Sequence, residues 1–492
     1  MKALREKERE KDEKGEVVTR SDGSVARRVR RRKRRSEQQN EGKNKEEHKK
    51  KSVLIKAAIG VGSFLFLLMG ALFIFVAFNS DSYEEKIEFR SGEWVGGEVD
   101  ILQHKVLPGS MTFDSVNFNW PENSHLVDLQ MKAVEGDVRF ISLLGARMGG
   151  QAIGGKTGTL RVRSPELAGD LITINQPGDF PFEYNRYYCD GLNVNFGTSG
   201  QLGLSDLETS MRYFPGEGFR VTMSAGMLSL KGWQKFPIDN GLIKFPQGEV
   251  KVETLRLRNP LEERSGSSDS LVLSGVIPTA QGQKAQLDIT TSAFPFEVIM
   301  GDEMGSFFSG SMRVDSSGLA HYTTGNDFLD EVILKFDGDQ MTLHRFPLVE
   351  NIKKLIFNNI DQELLFDGDV KGVYRWTPRG VTLENLVMSN KRLRVEGNMV
   401  IGSNDRIRGQ LTMWISMGYI NGNPRLENHP AFKRRSDDRG YAIIEIELGG
   451  TTTLPSDSFL MTTGLNASHS RSGVTPVKSA AELLRELEEG AE

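Results

Sequence analysis

The uncharged run Ala57–Phe78 constrains this chain more than any other stretch. It reads AAIGVGSFLFLLMGALFIFVAF, 22 residues with Ser63 as its one hydroxyl, and is entered through Lys49, Lys50, Lys51 and Lys56. A helix of that length rises about 33 Å, enough for a hydrocarbon core of about 30 Å. A helix buried in a soluble core usually keeps a polar stripe, and this run has none. The expectation is a transmembrane helix that divides the chain into a short N-terminal piece and a long remainder.

Charge sets the expected orientation. Residues 1–56 hold 21 Lys+Arg and 11 Asp+Glu, a balance of +10; the totals of 62 and 66 then leave 41 and 55 for residues 57–492, a balance of −14. Basic flanks resist translocation, so the N-terminus is expected in the cytoplasm and residues 79–492 outside it. The charged stretch before the apolar run is too long for a cleaved secretory signal, and no A-x-A pattern follows. The basic run Arg27–Arg35 lacks aromatic residues to stack bases, so it reads as a topology signal touching anionic headgroups and not as a nucleic-acid site. Segment 1–51 is charged, poor in apolar residues and expected to be disordered. One cysteine, Cys189, excludes an intrachain disulfide, which fits a bacterial envelope better than an extracellular eukaryotic setting. Cys189 itself, in YYCDG, reads as a half-buried strand residue. The localisation that follows is a single-pass protein of the bacterial inner membrane with a periplasmic C-terminal domain.

Beyond the polar stretch 79–90, read as a juxtamembrane linker, period-two alternation dominates. It is clear in 116–120, 127–133, 192–196, 219–223, 250–252, 255–257, 270–275, 287–289 and 312–314, each bounded by turn formers. One apolar and one polar face is the mark of antiparallel sheet. At about thirteen residues per strand and turn, roughly thirty strands are expected. Leu348, Ile352, Leu355, Ile356 and Ile360 recur at helical spacing within 346–360. Ser479 and Glu482 form a capping box for a terminal amphipathic helix. The fold class is therefore mainly β: one N-terminal transmembrane helix, then an elongated, mostly antiparallel twisted sheet, groove or sandwich, with a few short helices. The expected divisions are a tail 1–51, a span 52–78, a linker 79–90, a β-rich domain 91–340, a C-terminal β-domain 341–460, a linker 461–476 and a helix 477–490.

Searches for chemistry return little. Gly150–Thr157 fits the phosphate-loop spacing G-x-x-x-x-G-K-T, but that loop needs a helix after it, and here Leu160 and Val162 continue a strand. The glycines are read as a hairpin or bulge, and no nucleotide is expected. Seven scattered histidines show no zinc spacing, and no G-x-S-x-G elbow is present. Asp361, Glu363, Asp367 and Asp369 alternate with apolar residues as a solvated face. No catalytic residue, metal or cofactor is nominated, and the chain reads as a non-enzyme.

The segments FPLVENI, LLFDGDVKGVYRWTPRGVTLENLVMSN (364–390), RLRVEGNMVIGSNDRIRGQLTMWIS (392–416) and YAIIEIELGGTTTLPSD (441–457) have a recurring order. With Gly380, Leu383, Leu386, Leu393, Gly397, Gly409 and Leu411 in place, and Gly449-Gly450-Thr451 ahead of Pro455, residues 346–458 resemble the C-terminal region of the AsmA-like family and, more loosely, the TamB group. The resemblance implies a bent sheet whose apolar concave face holds lipid acyl chains, with a role in envelope lipid upkeep. It makes membrane phospholipid the expected partner, and Tyr374, Trp376, Leu393, Val395, Leu411, Met413 and Ile415 the expected groove residues. Trp414 falls on the opposite face. The competing reading is a structural or assembly subunit of an envelope or secretion machine that binds protein partners instead.

Overall fold

The computed structural model describes residues 17–19, 23–27, 60–70, 72–121, 124, 126–144, 147–162, 182–197, 202–215, 217–246, 249–261, 269–278, 282–323, 329–354, 363–421, 424–433, 440–464, 482 and 485. Most of the tail 1–51, Leu355, Ile356, Ile360, Asp361 and nearly all of 465–492 lie outside the described residues, so the terminal helix is represented only by helical Glu482 and Arg485. The chain divides into two units, 1–77 and 78–492. The first holds a short antiparallel pair, β1 (Val17–Thr19) and β2 (Val25–Arg27), inside the stretch expected to be disordered. It also holds nearly all of helix α1 (Gly60–Phe78). That helix has 19 residues and a mean hydropathy of 2.6, long and apolar enough to cross a membrane.

The second unit opens on a helix, α2 (Asp81–Val95), where a linker over 79–90 was expected. Its buried stripe is Tyr83, Ile87, Ser91 and Val95, one residue every fourth position. So narrow a stripe among charges does not register as amphipathic periodicity, which is why the sequence reads as polar linker. Gly96, at φ 67°, ends it.

The strands that follow are β3 (Glu98–Leu102), β4 (Lys105–Leu107), β5 (Ser110–Asn119), β6 (Leu126–Asp137), β7 (Met148–Val162), β8 (Phe182–Phe196), β9 (Leu202–Phe214), β10 (Gly218–Leu230), β11 (Phe236–Phe245), β12 (Glu249–Arg258) and β13 (Ser270–Pro278). Next come β14 (Lys284–Pro295), β15 (Phe308–Thr323), β16 (Glu331–Leu343), β17 (Leu365–Phe366), β18 (Val370–Thr377), β19 (Gly380–Ser389), β20 (Leu393–Gly402), β21 (Ile407–Ser416), β22 (Tyr441–Gly450) and β23 (Pro455–Asp457). Short helices interrupt them: α3 (Phe140–Leu144), α4 (Phe296–Ile299), α5 (Gly301–Gly305), α6 (Pro347–Ile352), α7 (Met417–Ile420), α8 (Pro424–Glu427), α9 (Pro430–Lys433) and α10 (Phe459–Thr463). The second unit thus has 21 strands among the described residues, fewer than the expected thirty because individual strands run up to 16 residues.

The strands succeed one another in a barrel-like cyclic order. Paired registers run from β3 and β4 on β5 through to β23 on β22, with β17 and β18 sharing β16. The order is that of a closed barrel in which β23 precedes β3, and because no register joins β23 to β3 or β4 among the described residues, the curled sheet has its seam there. The domain boundary expected near 340 is absent, since β16 pairs with both β15 and β18. Every ladder is antiparallel except β7 with β8, where Met148 faces Phe182 and Val162 faces Phe196. Gly150–Thr157 lies inside β7, neither in a hairpin nor in a bulge. Its glycines permit close approach: a Cβ on Gly154 would stand 2.5 Å from the Tyr188 ring.

Exposed edges invite unwanted pairing, and side chains meet backbone N–H groups on both sides of the seam. At one, Glu88 Oε1 accepts from the Ile101 N–H at 2.8 Å, while Asn79 Oδ1 accepts from the Val106 N–H at 2.7 Å. His104 donates through Nε2 to the Phe78 carbonyl at 2.8 Å and meets Glu84 through its other nitrogen. At the far edge Ser458 Oγ accepts from the Glu447 N–H at 2.8 Å. Asp457 then ties α6 to α10 by accepting from the Leu348 and Phe459 N–H groups at 2.6 and 3.0 Å.

Tyr83 links α2 to the loop of α3 by donating to the Leu143 carbonyl at 2.8 Å, and burial pushes its pKa from 10.0 up to about 12. A tyrosine raised in the folded state contributes stability that is complete below its unfolded value and lost as pH climbs through the folded one. Tyr83→Phe is therefore expected to cost about 0.5–1.5 kcal/mol at neutral pH. Denaturant titrations should also show it losing less stability than the parent between pH 10 and 12. Identical slopes for both proteins in that window would contradict the assignment.

Candidate functional site: a half-open apolar face

Residues directly opposite in a ladder share one face of a sheet, so the registers define continuous rows. Tyr213 faces Phe219, which faces Phe245 on β11. One step inward, Met211, Val221, Ile243 and Val252 stand in line across β9 to β12. Val250 faces Ile277 on β13. Of these apolar residues only Val252 is buried; Tyr213 is 37 % exposed and the others are half-buried. Toward the other ends of the same strands Leu228, Ile238, Leu257 and Leu271 are fully buried. One apolar face thus passes from closed to open along about 15–20 Å of strand, at roughly 3.3 Å per residue.

The closure has a specific cause. The β10–β11 turn carries Trp233, whose indole N–H donates to the Ile299 carbonyl at 2.9 Å and whose ring lies 4.8 Å from Trp376 on β18. The Asp302 N–H donates to the Gly232 carbonyl at 2.9 Å. Gly301, at φ 72°, allows that approach, because a Cβ there would meet the Gly232 oxygen at 2.7 Å. Behind this contact Phe294, Phe296, Phe307, Phe308 and Phe346 are fully buried, with Phe296 edge-on to Phe336 and Phe307 stacked on Phe346. Helices α4 to α6 thereby fill one end of the curl with side chains.

Six of the seven residues expected to line a groove belong to this filled end. Tyr374, Leu393, Val395, Leu411, Met413 and Ile415 are each at most 4 % exposed. The Tyr374 hydroxyl donates to the Met300 carbonyl at 2.9 Å, and burial raises its pKa well above the ordinary value. They are core side chains in contact with other side chains, and only Trp376, in the Trp pair, is half-buried. Trp414 does sit on the opposite face, half-buried. Sequence alternation shows which residues share a face, but not which part of that face a distant helix covers, so nothing local distinguishes the open rows of β9 to β13 from core.

Cys189 lies on β8, fully buried where half-burial was expected, with its thiol pushed up by desolvation. Glu363, Asp367 and Asp369 are exposed, as a solvated face requires. Among the described residues no group of His, Cys, Asp and Glu is arranged to hold a metal ion. No family model, curated protein or solved structure matches this chain.

Trp376→Ala is expected to destabilise the protein by about 2–3 kcal/mol, below the range for a fully buried tryptophan because both rings are half-buried. It should also abolish the coupled Trp–Trp signal in far-ultraviolet circular dichroism and increase binding of an apolar fluorescent dye. Unchanged stability and dye binding would show that the Trp233–Trp376 contact does not close the face.

Proposed function

We propose that this chain is a membrane-anchored, non-enzymatic lipid-binding protein of the bacterial envelope, in the manner of the AsmA-like family. In this reading α1 crosses the inner membrane with the N-terminus in the cytoplasm. The curled sheet then lies in the periplasm, and the open rows of β9 to β13 hold acyl chains. The supporting observation is the half-buried row Met211–Val221–Ile243, apolar and continuous with a closed core. A contiguous apolar surface left partly open to solvent ordinarily marks a binding site.

In-cell photocrosslinking tests this. A photoreactive residue at Val221 or Ile243 in the full chain should capture lipid, detected by mass spectrometry of the purified adduct, while Thr222 on the opposite face should capture little. Adducts to stoichiometric protein at Val221 and Ile243, without lipid, would replace this reading with that of an assembly subunit.

A further inference from the structure

The polar face behind the open rows carries an arrangement that fold stability does not favour. Arg212 faces Arg220, Arg220 faces Lys244, and Lys244 faces Lys251, across four consecutive strands from β9 to β12. One register step beyond the pairing of Tyr187 with Met211, Arg186 of β8 extends the row to five cations. Like charges directly opposite one another weaken an antiparallel ladder. Two carboxylates offset them: Glu253, at 2.8 Å from Lys244 and 3.0 Å from Lys251, and Glu217, at 3.0 Å from Arg220. Glu249 shares the face two residues before Lys251, so five cations less three carboxylates leave an excess of two, in a remainder of the chain whose own balance is −14. Arg212 has no carboxylate contact among the described residues. Arg186 meets Ser210 Oγ at 2.8 Å rather than an acid, and Arg220 Nε is buried without an acceptor.

Position gives the row its meaning. Each cation from Arg212 to Lys251 is flanked along its strand by residues of the apolar face: Met211 and Tyr213, Phe219 and Val221, Ile243 and Phe245, Val250 and Val252. Each also lies within two residues of a strand tip, since β9 ends at Phe214, β10 begins at Gly218, β11 ends at Phe245 and β12 begins at Glu249. Two residues of strand span about 6.6 Å, within reach of an extended Arg or Lys side chain. An acyl chain on the open rows would leave at those tips and bring its headgroup within range of the cations.

We infer that the tip cations Arg212, Arg220, Lys244 and Lys251, with neighbouring pairs sharing a phosphate, bind the headgroups of anionic lipid whose acyl chains occupy the open rows. This selects phosphatidylglycerol-like lipid over zwitterionic phosphatidylethanolamine. The inference rests on reading that face as a lipid site. Like-charge repulsion is the cost of an unoccupied site, and guanidinium groups in a row match the several oxygens of a phosphate.

The test uses the full chain with the photoreactive residue at Val221, comparing phosphatidylglycerol with phosphatidylethanolamine among the lipid adducts. Relative to their ratio in the membrane, the parent should enrich the anionic lipid about five-fold or more, the order expected from one or two cations near a phosphate. The triple variant Arg212→Gln, Lys244→Gln, Lys251→Gln should lose the enrichment and keep the total lipid yield, with a melting temperature no lower than the parent's. Arg212→Lys should retain the enrichment. Lipid adducts without anionic enrichment, or enrichment unchanged in the triple variant, would overturn the ladder's role and leave the lipid reading standing. An absence of lipid adducts in the parent would overturn both.

Discussion

Trp233 against Trp376 is the contact on which the rest of this architecture depends. It brings the β10–β11 turn to β18, eight places later in the order of strands, and so converts a long ribbon into a curl. A ribbon of this length has one face too apolar for water and no second sheet to cover it. The curl lets one stretch of the face cover another, with α4 and α5 filling the space between. Because Trp233 and the helices behind it lie at the β10–β11 turn, cover is complete at that end of β10 and β11 and incomplete at the tips of β9 to β12. Open and closed regions are therefore two results of one contact.

The edges follow a different logic. At the seam of the curl, side chains from a neighbouring helix or turn meet backbone N–H groups on each side: Asn79 and Glu88 on one, Ser458 on the other. These residues are polar because they must accept from backbone N–H groups. They come from the segments immediately flanking the sheet, so the chain occupies its own edges as it enters and as it finishes.

Much of the fold was legible in the sequence. All nine alternating runs lie on strands, apart from Trp120 one residue past the end of β5, and Pro347–Ile352 begins the helix expected at 346. Strand alternation is local, and a local signal survives without tertiary information. What was not legible depends on distant contact. The buried stripe of α2 is a single residue per turn and gains its meaning from β3. The glycines of β7 resemble a phosphate loop until β8 is seen lying parallel beside them. Tyr374 and Leu411 alternate as well as Val221 and Ile243 do; only the helices over one pair and not the other separate core from surface.

The parallel β7–β8 pair decides more than its own ladder. In a pure meander every second turn returns to the same end of the sheet. One parallel step inverts that parity for all later strands. The β4–β5 turn near Pro108 and the connection bearing α3 therefore fall at the same strand ends as the β9–β10 turn, while α4, α5 and α6 fall at the opposite ends. Had β8 joined β7 as a hairpin, the helical filling and the open tips would have exchanged ends. A single crossover between Val162 and Phe182 thus acts as a parity switch, assigning one end of a repetitive sheet to the core and the other to whatever it meets.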